Sequence, residues 1–276
     1  MMTNVLFILL TVCLICLFLS LLYLYLIMPA LGKKSDIPAL RHYYYAHRGL
    51  HSDAIPENSM AAFRAAADAG YGIEMDVQLT KDNVPVVFHD FTLDRVCGVP
   101  GKLKDFTYEE LQAFSLGNTG EKIPRFEDVL AMVKGRVPLL IEYKIELFNT
   151  SVCAVCDRIL SNYSGLYFIE SFNPLALLWY KKHRPQIVRG QLSARFREVH
   201  AFYHYFYLIP LHHLLFNFLT KPDFISYDCT CAGALSRRLC RNLFKNLSVA
   251  WTIRSKEDME HLKKQFDLFI FEGFCP

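Results

Sequence analysis

Apolar positions divide the chain into an uninterrupted N-terminal block and a long region of short alternating runs. Residues 5–28 carry no charge and consist mostly of Leu, Ile, Val, Phe, Cys and Tyr. About twenty apolar residues span a bilayer as a helix, so this block predicts one transmembrane helix. A cleaved signal peptide would show a basic leader and a shorter apolar core. Met1-Met2-Thr3-Asn4 has no base and the run is longer, so an uncleaved anchor is expected. Residues 29–42 follow as a linker. Beyond it, β-prone runs at 43–47, 73–77, 138–143, 166–171, 187–192, 224–227, 248–251 and 268–271 alternate with helical patterns. One helix is expected over 59–69, with Phe63 inward and Gly70 as its stop. Thr107 and Glu110 form a capping-box pattern opening another over 108–114. A further run at 84–88 follows the tight turn Thr80-Lys81-Asp82-Asn83, which allows only antiparallel pairing. Pro85 confines it to a sheet edge. Eight strands with helical crossovers over about 240 residues predict an α/β TIM (β/α)8 barrel for residues 43–276, whose site gathers at the C-terminal strand ends.

Composition adds to this picture in a few places. With 53% hydrophobic residues in 276, the chain holds more than a soluble barrel needs, in keeping with an anchor. Lys and Arg exceed Asp and Glu by three, 30 against 27, with no basic stripe, which excludes nucleic-acid binding. Lys33, Lys34 and Arg41 follow the apolar block while no base precedes it, so the catalytic domain is expected in the cytoplasm of a single-pass protein. The barrel's cysteines, Cys97, Cys153, Cys156, Cys229, Cys231, Cys240 and Cys275, are odd in number and show no disulfide framework. Residues 196–219 are rich in Tyr, Phe and His and broken by Pro210. They suit a membrane interface seating the barrel mouth, or equally a crossover helix with a buried apolar cap.

The chemistry concentrates between Tyr43 and Asp90. An aromatic run ends at His47-Arg48-Gly49, so a strand delivers a histidine and an arginine at its C-terminal end. In the next strand Glu74 and Asp76 share a face, with Met75 opposite. Two carboxylates side by side repel unless a cation lies between them, and oxygen donors favour Mg²⁺ or Ca²⁺. The hairpin from Asp76 brings His89 back toward them. Two imidazoles suit acid–base work near neutral pH, and a guanidinium can fork onto a phosphate. Together these groups describe phosphodiester cleavage.

The same residues carry a resemblance. His47-Arg48-Gly49, Pro56-Glu57-Asn58-Ser59, Glu74-x-Asp76-Val77, Val86-Val87-x-His89-Asp90, Leu93-x-Arg95, Ile141-Glu142-Tyr143-Lys144, Ser171-Phe172-Asn173 and Trp251-Thr252-Ile253 resemble the signature of the glycerophosphodiester phosphodiesterase family, in its membrane-anchored bacterial form. The resemblance runs from Tyr43 to the C-terminus. It implies hydrolysis of glycerophosphodiesters to glycerol 3-phosphate and an alcohol, with His47 and His89 catalytic. It implies Glu74, Asp76 and Glu142 as ligands of one divalent cation, and Arg48, Glu57, Asn58, Lys144 and Trp251 as substrate contacts. The chain departs from the pattern at Asn83, where a glycine is usual, at Ile253-Arg254, and in the closing run Phe271-Glu272-Gly273. A lysophospholipase D acting on membrane lysophospholipids is the nearest alternative. A phosphoinositide-type phospholipase C fits the Glu-x-Asp spacing less well. A catalytically inactive lipid-headgroup binder would have no need of two proton-transfer groups.

Overall fold

The computed structural model describes residues 2–32, 34–196 and 202–276. Its sheet holds nine strands: β1 (Tyr45–Ala46), β2 (Gly72–Leu79), β3 (Pro85–Val87), β4 (Leu139–Tyr143), β5 (Tyr167–Ser171), β6 (Arg189–Ser193), β7 (Phe224–Asp228), β8 (Leu247–Ile253) and β9 (Leu268–Phe271). All but β3 are parallel neighbours, and β1 pairs with both β2 and β9, closing an eight-stranded TIM barrel. β3 lies outside the ring, antiparallel on β2, where Pro85 has no ladder bond to donate. Asn83 turns the hairpin at φ 60°, the left-handed conformation that asparagine tolerates.

Alternation along β2 sorts the side chains. Ile73, Met75 and Val77 pack outward against the helices, whereas Glu74 and Asp76 are buried on the inner face. Several elements are shorter than their sequence patterns. β1 keeps only two residues, although the Tyr44 carbonyl before it still accepts from the Gly72 N–H of β2 at 2.9 Å. The helix expected over 108–114 ends at Leu111, although the Thr107–Glu110 capping box is present. After it the chain turns, with Gln112 Nε2 donating to the Ile123 carbonyl and Phe114 edge-on to Phe106. Residues 90–105 contain the helical turns Asp94–Cys97 and Leu103–Asp105, held by buried Leu93 and Leu103.

The helix α1 (Met2–Leu26) is long and apolar enough to cross a membrane, and its apolar window is not packed against the rest of the molecule. Among the described residues only its C-terminal end meets the barrel, where the Ile27 carbonyl accepts from Asn217 Nδ2 (2.9 Å) and Cys240 Sγ (3.4 Å). Residues 29–42 are built into the fold. In the short helix α2 (Ile37–Leu40), Ile37 and Leu40 plug the barrel floor against Tyr45, Leu140, Phe168 and Phe224. Lys34 Nζ binds Asp223 Oδ2 at 2.6 Å beneath β7; Lys33 lies outside the described residues.

Floor packing leaves no room at Gly190. A Cβ built there would lie 2.0 Å from the Phe224 ring. Gly190→Ala is expected to displace that ring and destabilise the fold by about 1–3 kcal/mol. Thermal unfolding followed by circular dichroism checks this, and an unchanged midpoint would refute it.

Of the segment 196–219, residues 197–201 lie outside the described residues. The remainder forms the helix Phe202–His212, with Pro210 inside it, and the turn Asn217–Thr220. His212 pins that helix end over β6 and β7. Its Nδ1 lies 2.9 Å from the Ala194 carbonyl, and its own carbonyl accepts from Tyr227 Oη at 2.7 Å. Leu211 and Leu214 are buried there, whereas Tyr207 and Ile209 are exposed.

Candidate active site

The acids come together because parallel register stacks them. Asp76 of β2 stands opposite Glu142 of β4, and Glu142 opposite Glu170 of β5. Glu74, Asp76 and Glu142 each present a carboxylate oxygen within 4.8 Å of the others, and all three are buried. Burial, with Asp76 and Glu142 as like charges beside it, pushes Glu74 well above the usual carboxylate range. Burial likewise pushes Glu142 up to about 7, against Lys144. Burial would raise Asp76 too, but Lys144, His89 and Arg48 outweigh it and hold this carboxyl well below its ordinary value. Lys144 Nζ lies 2.8 Å from Glu142 Oε1 and 3.1 Å from Asp76 Oδ1, yet Asp76 Oδ1 has no aligned hydrogen-bond donor among the described residues. Crowded oxygen donors of this kind fit a hard divalent cation, which would let all three ionise together.

Each histidine is held by a carboxylate. His47 follows β1, with its backbone N–H on the Phe271 carbonyl (2.9 Å). Its Nδ1 donates to Glu272 Oε2 at 2.5 Å, which leaves Nε2 for other partners. His89 Nδ1 donates to Asp90 Oδ1 at 2.6 Å in the same way. Gln78 Nε2 brackets the His89 turn by donating to the Phe88 and Asp90 carbonyls, each at 2.7 Å. Burial pushes both imidazoles below their ordinary value, opposed by Glu272 at His47 and by Asp76 and Asp90 at His89. The hydrogen bond from His47, with the His51 imidazole 3.8 Å away, holds Glu272 well below the usual range.

The arginine is set by a second chain of charges. Arg48 has φ 54°, and its backbone N–H donates to Glu74 Oε2 at 2.8 Å. Its guanidinium reaches Glu57 Oε1 (2.8 Å) and Asp76 Oδ2 (3.5 Å). Arg95 grips Glu57 at 2.7 and 2.9 Å and Asp90 at 2.6 and 3.0 Å, so it links the holders of Arg48 and His89.

A cavity of about 140 Å³ opens at the C-terminal strand ends, walled by His47, Arg48, Glu74, His89, Glu142, Glu170, Phe172, Trp251 and Arg254 among others. Trp251 stands edge-on to Phe172, and its indole N–H has no partner among the described residues. Glu57 and Asn58, expected at the substrate, stand behind this wall. Glu57 holds the two arginines, and Asn58 Nδ2 donates to Asp76 Oδ2 at 2.8 Å. Lys144 borders a second groove of about 400 Å³, together with Phe91, Lys102, Lys104, Leu147 and Phe148.

Sequence reasoning gave no role to Glu272, Asp90, Arg95 or Glu170. Asp90 and Arg95 stood within quoted motifs. Arg254 and Glu272, two departures from the family pattern, meet at 2.6 Å. Glu170 could have been found from its strand-end position one register step from Glu142.

Residues 47–266 match the model of the glycerophosphoryl diester phosphodiesterase family. The chain is 32% identical over 232 residues to a glycerophosphodiester phosphodiesterase of Caldanaerobacter subterraneus subsp. tengcongensis, covering 79% of this chain and 88% of that protein. It is 41% identical over 95 residues to human glycerophosphodiester phosphodiesterase 1, covering 31% and 28% of the two chains. An Oleispira antarctica phosphodiesterase, solved in complex with the product sn-glycerol-3-phosphate, superposes with a TM-score of 0.67 at 24% identity, covering 83% of this chain and 92% of that one. A Thermotoga maritima glycerophosphodiester phosphodiesterase gives 0.64 at 24% identity, with 83% and 94% covered. Relatives and barrel together define a phosphoric diester hydrolase on a TIM barrel. More narrowly, the chain belongs to the glycerophosphoryl diester phosphodiesterase family.

Proposed function

We propose that this protein hydrolyses glycerophosphodiesters to glycerol 3-phosphate and an alcohol, with His47 and His89 as its proton-transfer groups. The observation that carries the reading is a pair of imidazoles, each held at Nδ1 by a carboxylate, on one cavity with Glu74 and Glu142 of the three clustered acids. Fixing Nδ1 sets the tautomer and leaves Nε2 to exchange protons with substrate. In the first step one imidazole takes the proton of a glycerol hydroxyl as that oxygen attacks phosphorus, and the other protonates the departing alcohol oxygen. In the second step the two exchange roles, and water opens the cyclic phosphate. Arg48 and Lys144 offset the phosphate charge. Glu74, Asp76 and Glu142 would hold one Mg²⁺ or Ca²⁺, which when bound neutralises negative charge at phosphorus.

Residues 5–28 serve in this reading as a single membrane span and residues 43–276 as the catalytic domain, placed in the cytoplasm. Lys34 bears on that placement less than its sequence position suggests, because its ammonium is engaged beneath the barrel. A second substrate reading is favoured by the groove beside the cavity. Exposed Leu147 and Phe148 on its wall suit the acyl chain of a lysophospholipid.

The test is glycerol 3-phosphate release from glycerophosphocholine and glycerophosphoethanolamine by detergent-purified full chain, with Mg²⁺, Ca²⁺ or EDTA. Activity with a cation and none in EDTA is expected. Full activity in EDTA would refute the cation's role. Silence on both substrates, with choline released from lysophosphatidylcholine, would replace the first substrate reading by the second.

A further inference from the structure

The direction in which α1 leaves the barrel can be followed contact by contact. Lys34 is tied to Asp223 and to the Ile187 carbonyl, at the N-terminal ends of β7 and β6. The Ala30 N–H donates to the Pro222 carbonyl at the same end, at 3.0 Å. Ile27 then meets Cys240, and Tyr23 lies against Ser236. The helix Leu235–Asn242 runs from the end of β7 back to the start of β8, so Ser236 is its end nearer the active-site face. Traced from Lys34 back to Tyr23, the chain climbs from the barrel floor toward the mouth. At about 1.5 Å per residue, residues 5–22 continue roughly 25 Å in that direction. Their large apolar side chains are exposed, Phe7 at 71% and Phe18 at 64%.

The mouth side carries its own apolar groups. Phe148 is 84% exposed and Leu147 74%, both in the loop after β4, and Phe91 is exposed after β3. Asn173 Nδ2 braces the first loop by donating to the Leu147 carbonyl at 2.7 Å. Lys102 and Lys104 border the groove between these loops.

We infer that the active-site mouth lies against the surface of the bilayer leaflet that α1 enters. Phe148, Leu147 and Phe91 dip into the interface, and Lys102 faces the phosphates of the headgroups, beside Lys104 in its ion pair with Glu146. α1 decides the occupant, because an exposed uncharged helix of this length is covered by lipid, and its axis puts that lipid on the mouth side. The cavity then receives a phosphodiester held at the leaflet surface. This last step rests on the proposed phosphodiesterase activity, whereas the orientation does not.

The test places one tryptophan at Phe148 (Phe148→Trp) or at exposed Gln186 (Gln186→Trp), in the loop before β6 at the opposite end of the barrel. The full chain is reconstituted in phosphatidylcholine–phosphatidylglycerol vesicles with or without a shallow doxyl-labelled lipid. Emission of the added tryptophan is the difference from wild type. Phe148→Trp is expected to lose about half its emission or more to the quencher, and Gln186→Trp almost none. Quenching at Gln186 alone, at both positions or at neither overturns the orientation, as does a purified mass that lacks α1. Glycerophosphocholine hydrolysis is measured on the wild-type sample. Its absence would refute glycerophosphocholine as substrate and leave quenching to judge the orientation alone.

Discussion

His47→Ala is expected to lower kcat/KM on glycerophosphocholine by about 10³-fold, the usual contribution of a positioned acid–base group. The residue stands at the strand end with Nε2 available on the cavity, and no other imidazole among the described cavity-wall residues except His89 could replace it. The partner variant Glu272→Gln tests how His47 is held. It keeps an oxygen acceptor for Nδ1 but removes the carboxylate charge, and a loss of about 10²-fold is expected. The pH profile separates positioning from general damage. Burial already depresses the His47 pKa, and the bond to Glu272 is the main opposing influence. The acid limb of kcat/KM is therefore expected below about pH 6.5 in the wild type, the ordinary imidazole value. Without the carboxylate charge the imidazolium is less favoured, so the limb of Glu272→Gln moves to lower pH. A limb that stays or rises would contradict this account, as would an activity within twofold of wild type.

Asp76→Asn should cost both activity and stability. Asp76 is the counter-charge of Lys144 and Arg48, at 3.1 and 3.5 Å, and accepts from Asn58 at 2.8 Å. Its loss leaves two buried cations with fewer partners, a change of about 3 kcal/mol. It also removes one of three clustered carboxylates, so divalent-cation affinity should fall together with kcat. The sign of the pH dependence follows from the depressed carboxyl. A group whose folded pKa lies below its unfolded value stabilises above the unfolded pKa, about 3.9 for Asp, and loses that contribution as pH falls toward the folded value. In EDTA, the stability gap between wild type and Asp76→Asn should shrink as pH falls below about 4. Urea unfolding across that range checks it. A gap that widens on acidification would show that Asp76 is not the ionised member of the cluster.

Much of the site could be read from order along the chain. β-strand alternation places Glu74 and Asp76 together, and the tight turn at Asn83 brings His89 back beside them, because both are local consequences of backbone geometry. Glu57 and Asn58 were legible as motif members but not in their position. Whether a side chain faces the cavity or braces its wall depends on Arg48 and Arg95, which approach from outside the motif. The linker reading of residues 29–42 met a similar limit. Ile37 and Leu40 look unremarkable until a closed barrel offers an apolar floor to fill.

The sequence by itself determined the alternating strand and helix pattern, the apolar block of α1 and the inventory of acids, histidines and arginine, since each follows from residue type and spacing of two to four positions. Only the tertiary structure decided that Glu272, 225 positions from His47, is its hydrogen-bond acceptor, and that Glu142 and Glu170 stand in register with Asp76. It also decided that α1 rises past the mouth of the barrel and not past its floor. Barrel closure joins the first strand to the last, and a contact made across that seam leaves no periodicity in the chain from which it could be read.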